Sequence, residues 1–358
     1  MKKIIFFSRG RGFGHAIPDM AIADEINRCN PLVDIRFASY AGGAVAFAER
    51  KKPFFDLGLP EKNPFLATFY ACSNLILAEE PSVVVAHEEF AAIAAAVLHN
   101  IPAVFMSAWL PPAGTVAAES ICYAKAVVVL GDPGIFPVPS DVRIKPVYTG
   151  PLIRPMKYTV RDRADLRREL MWHQETFCLV VVPGGSLSEA QSPIADLIVS
   201  AFNMLKHKHK RLIWISTKDH GALSKYSGNV EGFELISFCD PIERMLAVAD
   251  VVISKGTRGI THDAAAVGVP TISLSGGGNS VDDELVPRIR TNIGLRACAV
   301  DADILVYYIK LISSGSRVDC FDDFDLSPLM VAANAIIEIV GGERSVLPRD
   351  SRAPSLHA

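Results

Sequence analysis

The run Ser8-Arg9-Gly10-Arg11-Gly12-Phe13-Gly14-His15 sets a histidine at the end of a glycine-rich turn, just before a segment of helical character. An imidazole titrates near pH ~6.5, so it can take the proton of a hydroxyl at neutral pH as a general base. Glycines let the chain turn sharply and leave amides, Gly14 among them, open toward an anion, which the start of a helix also favours. His15 has a structural alternative, a buried imidazole capping the helix, but its glycine-loop setting favours the base. A second polar cluster, His87-Glu88-Glu89, follows the apolar run Ser82–Ala86. Either His87 or Glu88 orients His15 or meets an acceptor, or these acids simply begin a helix where its dipole suits them.

The third segment is Ser254-Lys255-Gly256-Thr257-Arg258-Gly259-Ile260-Thr261-His262-Asp263, followed by Ala264-Ala265-Ala266-Val267-Gly268-Val269-Pro270. Its glycines permit a diphosphate to approach the start of a helix, where the dipole contributes about 0.3–1 kcal/mol. Lys255 and Arg258 would neutralise that charge, with plain surface charge as the alternative. Asp263, one turn into the helix, is placed to accept hydrogen bonds from a ribose diol. Pro183-Gly184-Gly185-Ser186 forms another glycine turn between an apolar run and a helix, which either cradles phosphate or only tightens the turn. The spacings exclude a dinucleotide fingerprint and a phosphate-binding Gly-Lys-Ser/Thr loop. No His-Glu-x-x-His or similar ligand spacing occurs, so no bound metal is expected.

The elements that must hold these residues alternate. Strands are expected at Lys3–Phe7, Asp34–Ala38, Ser82–Ala86, Ala103–Met106, Ala126–Leu130 and Ile144–Tyr148, with helices at Ile17–Arg28, Ala44–Arg50 and Phe90–Leu98 among those between. After the proline-rich stretch Gly150 to Pro155 and a polar helix at Arg161–Leu170, strands recur at Cys178–Val182, Leu212–Ser216, Phe233–Ile236, Val251–Ser254 and Thr271–Leu274. Continuous apolar strands alternating with helices predict α/β units built on parallel sheets buried on both faces. The expected division is residues 1–150, a linker at 151–160, residues 161–325, a last helix at 326–342 that packs back on the first unit, and a tail at 343–358. A chain of 358 residues is long enough for two such cores. Phe54-Phe55 and Phe65–Tyr70 line a hydrophobic acceptor groove or fill a core.

The formal charge is −3 with 21% charged residues, which provides no global basic field for nucleic acid. The local run Lys206-His207-Lys208-His209-Lys210-Arg211 reads as a helix end running into a strand. Seven scattered cysteines without a Cys-x-x-Cys pair suggest reduced thiols in the cytoplasm. The apolar stretch after Lys3 is too short for a signal peptide, and no run has the roughly 18 apolar residues of a membrane span. Peripheral contact with a membrane stays open.

The segment ending in Gly268-Val269-Pro270 resembles the donor-binding motif of GT-B glycosyltransferases, a fold of two Rossmann-like domains facing across a cleft. The similarity is to the group holding the lipid-II-forming N-acetylglucosaminyltransferase and the natural-product glycosyltransferases. Its motif ends in an acid seven residues before a proline, the spacing of Asp263 and Pro270. Gly14-His15-Ala16-Ile17-Pro18 resembles the group's Gly-His-x-x-Pro beside the acceptor. Tyr148 to Pro155 is similar to its interdomain segment, and Pro183 to Ser186 to its C-domain loop. The resemblance implies nucleobase contacts in the loop holding Phe238 and Cys239, and sugar contacts near Asp282 and Asp283. Three features depart from the pattern: Asp263 stands for Glu, no glutamine accompanies Asp282-Asp283-Glu284, and Ser275-Gly276-Gly277-Gly278 replaces a proline-aromatic stretch.

The expected activity is transfer of a sugar from a nucleotide-diphosphate donor, UDP-linked, to a hydroxyl of a small or lipid acceptor. His15 is the base, the outcome is inversion, and no cofactor is needed. A non-hydrolysing nucleotide-sugar 2-epimerase and a non-catalytic nucleotide-sugar-binding protein are the alternatives.

Overall fold

The computed structural model describes residues 2–140, 142–153, 155–183, 192–216, 220–237, 239, 241–254, 258–275, 292–296, 299–314 and 327–341. The first unit runs β1 (Lys3–Ser8), α1 (Ala16–Cys29), β2 (Asp34–Ser39), α2 (Ala41–Glu49), β3 (Phe54–Asp56), α3 (Phe65–Glu79), β4 (Val83–His87), α4 (Phe90–Leu98), β5 (Ala103–Ser107), α5 (Val116–Ile121), β6 (Ala126–Val129) and β7 (Val147–Tyr148). Its seven strands are all parallel, in the order β3-β2-β1-β4-β5-β6-β7. Strands such as Val83-Val84-Val85-Ala86 are apolar at every position because helices cover both faces of the sheet.

A short helical turn (Val160–Asp162) leads into α6 (Arg163–Glu169), where one helix was expected. The second unit follows with β8 (Phe177–Val182), α7 (Ser192–Met204), β9 (Lys210–Ile215), α8 (His220–Ser224), β10 (Phe233–Ile236), α9 (Ile242–Val248), β11 (Val251–Ser254), α10 (Arg258–Val267), β12 (Thr271–Ser275), β13 (Asn292–Arg296) and α11 (Ala302–Ser314). Six parallel strands run β10-β9-β8-β11-β12-β13. The fold class is thus as the sequence predicts, two doubly wound α/β units. Both sheets reverse direction of winding beside their first strand, between β1 and β4 and between β8 and β11. Ligands of such sheets bind at the carboxyl ends of the strands flanking that reversal.

Several elements escaped the sequence. β3 forms at Phe54–Asp56, where Phe54 stacks on Phe47 with ring centroids 5.8 Å apart and Phe55 joins the opposite core face. β13 and α11 were not anticipated. His87 is the last residue of β4 rather than the first of a loop. The basic run does join a helix end to a strand: α7 stops at Met204, and Lys210 Nζ donates to the carbonyls of Phe202 (2.8 Å), Asn203 (3.1 Å) and Leu205 (3.0 Å).

The last helix, α12 (Ser327–Gly341), buries Leu329, Ala332, Ala333, Ile336 and Val340 in the core formed by α1, β1, β4 and β6 of the first unit. Among the described residues no helix is long and apolar enough to cross a membrane.

Candidate active site

His15 sits at the position just before α1, but its side chain caps nothing. Its Nε2 lies 3.0 Å from Glu88 Oε2 instead. Strand register makes this meeting possible. β1 ends at Ser8, which pairs with His87 on β4, and His87 in turn pairs with Met106 on β5. The chain after β4 then turns sharply, with Glu88 at φ +54° and its amide bonded to the Met106 carbonyl at 3.0 Å. That left-handed conformation is strained for a non-glycine residue, and such strain gathers at functional sites. The second oxygen, Glu88 Oε1, accepts from Ser107 Oγ at 2.8 Å, so both oxygens of the carboxylate are fixed.

A second pair lies beneath the first. Asp19, one turn into α1 and fully buried, accepts from His87 Nδ1 at 2.7 Å and from the Ser8 hydroxyl. The His15 and His87 rings meet edge to face with centroids 4.8 Å apart. Burial alone would strip the proton from His87, but Asp19, by charge and hydrogen bond, and then Glu88 outweigh it and raise its pKa. Burial likewise opposes the Glu88 charge, yet the charge and hydrogen bond of His15, then the charge of His87, hold it far below the carboxylate range. Glu89 differs: burial outweighs the Tyr40 hydroxyl at 2.9 Å and the charges of Arg9 and Arg11, and its pKa rises. Tyr40 is pushed up to about 12 by burial and the Glu89 charge.

Nε2–H of His15 donates to Glu88, so that in the neutral form of the ring the lone pair lies on Nδ1. His15 Nδ1 is shielded from solvent and has no hydrogen-bond partner. An unmet buried polar nitrogen is uncommon in folded proteins and needs an explanation, such as a missing bound group. Donor atoms of His15, His87 and Glu88 lie within 4.8 Å of one another, close enough for a cation. However, Glu88 is already held by His15 and Ser107 and His87 by Asp19, so that of the two ring nitrogens of His15 only Nδ1 is left unpartnered.

In the second unit, β11 runs beside β8, with Ser254 paired to Val182. The two glycine segments singled out there therefore leave adjacent strands at the reversal point of that sheet. α10 starts at Arg258, and Thr261 and Asp263 are buried on it. Thr261 Oγ1 lies 3.2 Å from Ser254 Oγ, which is 3.4 Å from Ser273 Oγ, so a chain of hydroxyls ties the helix start to β11 and β12. Ile260 packs into the second core, and Ala264 lies fully buried beneath it. Packing does not demand glycine at Gly14 or Gly259, because a Cβ at either would meet nothing within 4 Å. Cys239 is half-buried between β10 and α9 with Sγ 3.8 Å from the Pro241 carbonyl. Gly184, Gly185, Ser186, Phe238, Lys255, Gly256, Thr257, Asp282 and Asp283, and the Arg258 side chain, lie outside the described residues.

No family model and no curated protein matches the sequence. Solved structures do match in shape. A glycosyltransferase of kitacinnamycin superposes with a TM-score of 0.61 at 15% identity, over 95% of each chain. MurG of Acinetobacter baumannii gives 0.57 at 15% identity, over 95% of this chain and 98% of that one. The fold is GT-B. A UDP-GlcNAc 2-epimerase from Neisseria meningitidis, solved with UDP-GlcNAc, shares it with a TM-score of 0.68 at 12% identity, over 96% of this chain and all of that one. At such identities the GT-B likeness carries architecture, and chemistry must come from the residues.

Sequence reasoning found His15, His87 and Glu88 but missed Ser8, Asp19 and Ser107. Asp19 carried a local signal, an acid four residues after His15 on the same helix face. Ser8 and Ser107 carried none, because each became a partner only through strand register.

Proposed function

We propose that the chain is a glycosyltransferase that moves a sugar from a UDP-linked donor to a hydroxyl of a small or lipid acceptor, with inversion and without a metal. One observation carries this reading: His15, held by Glu88, keeps an unpartnered nitrogen at the reversal point of the first sheet. In this scheme His15 Nδ1 takes the acceptor proton while the acceptor oxygen attacks the anomeric carbon and UDP departs. Glu88 stabilises the imidazolium that forms, as a carboxylate behind a histidine does in other general-base catalysts. The donor's diphosphate lies on the segment Lys255 to Thr261 and the turn Gly184 to Ser186, with Asp263 on the ribose, Phe238 and Cys239 beside the base, and Asp282 and Asp283 toward the sugar. The nucleotide sugar is a substrate, no cofactor takes part, and the cytoplasm is the proposed compartment.

A non-hydrolysing nucleotide-sugar 2-epimerase and a non-catalytic nucleotide-sugar-binding protein are the alternatives, the first because a UDP-GlcNAc 2-epimerase has the same fold. One experiment separates the readings: incubation of the full chain with UDP-sugars, following UDP release with and without candidate acceptors. Acceptor-dependent release supports transfer. Inversion at C2 of the sugar without net UDP release supports the epimerase, and UDP binding with neither supports a binding protein.

A further inference from the structure

Arg9 and Arg11 flank Gly10 in the loop that ends in His15. Arg9 is half-buried and Arg11 exposed, and neither forms an ion pair among the described residues. The nearby carboxylates are committed elsewhere. Asp19 answers Ser8 and His87, and Glu88 answers His15 and Ser107. Glu89 feels the charge of both arginines but forms an ion pair with neither, and its carboxylate accepts the Tyr40 hydroxyl. Two guanidinium groups thus stand without an ion-pair partner among the described residues on the loop of the candidate base, in a protein whose net charge is −3.

The backbone that carries them is pinned. Arg9 N donates to the His87 carbonyl at 3.2 Å, and the Gly10 carbonyl accepts from Gly42 N at 3.1 Å. Gly10 is pressed so closely on Tyr40 that a Cβ would lie 2.4 Å from its carbonyl oxygen, and a Cβ at Gly42 would lie 2.7 Å from Gly12. The arginines are therefore carried on a fixed turn rather than a loose one, which lowers the entropy cost of gripping a ligand. A guanidinium fork matches the two oxygens of a carboxylate or phosphate, and an unpaired one near a cleft draws anions. The donor's diphosphate has its own candidate loops on the second sheet, whereas these arginines share the loop of the base.

We propose that Arg9 and Arg11 receive a carboxylate or phosphate carried by the acceptor, so that the acceptor class is an acidic molecule with a nearby hydroxyl. This rests on His15 being the base of a transfer reaction. The test titrates full-length protein with inorganic phosphate at constant ionic strength, with and without saturating UDP, by calorimetry. Wild type, Arg9→Gln, Arg11→Gln and Arg11→Lys are compared, and each is also titrated with UDP. The expected result is phosphate binding to the UDP-saturated protein that weakens tenfold or more in each Gln variant, less in Arg11→Lys, with UDP affinity within twofold of wild type. Arg11 is exposed, so its variants test the site even if Arg9→Gln folds poorly.

Equal phosphate affinity in wild type and variants, or no phosphate binding by wild type, overturns the proposal. So does a parallel loss of UDP affinity, which would assign the arginines to the donor. In assays with candidate acceptors offered as free acid and methyl ester, wild type is expected to prefer the acid by tenfold or more; no preference overturns it. A failure of UDP to bind wild type would instead sink the donor reading while leaving the phosphate titration interpretable.

Discussion

His87 lies between Asp19 and Glu88, and its proton sets the charge of the whole array. Glu88 ionises more easily folded than unfolded, so its stabilisation is present above the ordinary value of 4.5 and is lost as pH falls below it. His87 holds its proton more tightly when folded, so its stabilisation is complete below 6.5 and is lost as pH rises through the elevated folded value. Stability should therefore peak between these limits. In thermal melts across pH, Glu88→Gln is expected to lose stability relative to wild type at pH 6, with the gap closing toward low pH. A gap independent of pH would show that the Glu88 charge does not matter. For catalysis, His15→Ala should lower turnover by roughly 10²–10⁴ while UDP still binds. An unchanged rate in that variant would remove His15 as the base. These residues were partly legible in advance, since a histidine after glycines is a local signal. Ser8 and Ser107 were not, because their partners lie 11 and 19 positions away, and the local signal of Asp19 did not reveal its partner His87, 68 positions away, since these meet through sheet register and helix packing.

At the scale of elements, the His15 loop is held by α2, whose start is Ala41-Gly42-Gly43. Ser39 Oγ donates to the Ser8 carbonyl at 2.7 Å, and a Cβ at Gly43 would collide with that same hydroxyl. Gly10→Ala must push its methyl into the Tyr40 backbone, which cannot swing aside as a side chain can. Overpacking of this kind typically costs about 1–3 kcal/mol. The expected outcome is a lowered denaturant midpoint together with a loss of turnover exceeding any loss of UDP affinity; wild-type values for both would show that the contact is slack. In the second unit, α6 is fastened by charge. Arg163 donates to the Ala247 carbonyl at 3.0 Å, Arg167 to the Val248 carbonyl at 2.8 Å, and both reach Asp250. These bonds satisfy the last carbonyls of α9, and Asp250 also accepts from Cys178 N at 2.8 Å. Asp250→Ala would strand two buried guanidiniums and should destabilise the protein by about 3–5 kcal/mol, measured by denaturant unfolding. A change below 1 kcal/mol would mean that the arginines re-pair with backbone alone.

For the whole molecule, strand-helix alternation showed in advance that there would be two parallel sheets, because continuous runs such as Phe177–Val182 are long, apolar and β-branched. β3 was hidden because Phe54–Asp56 is only three residues long, and β13 because Asn292-Ile293-Gly294-Leu295-Arg296 mixes polar residues and a glycine into its apolar positions. The chain also closes on itself in a way that only packing reveals. α12 comes last in sequence, yet its apolar stripe Leu329, Ala332, Ile336 and Val340 completes the core beneath α1. Its alanines let the two helices approach closely, and Lys2 Nζ bonds the Val340 carbonyl. Removing three large aliphatic side chains from that core would forfeit roughly 5–9 kcal/mol at about 1.5–3 kcal/mol each. A domain's entire stability is only about 5–15 kcal/mol, so the first unit without α12 should not fold cooperatively. A fragment of residues 2–150 is accordingly expected to lack a sharp thermal transition and native near-ultraviolet dichroism. Adding a synthetic peptide of residues 327–341 in excess should restore both. If the fragment alone melts sharply at the temperature of the full chain, α12 is a cover rather than a part of the first core, and the first sheet with its His15 site stands without it.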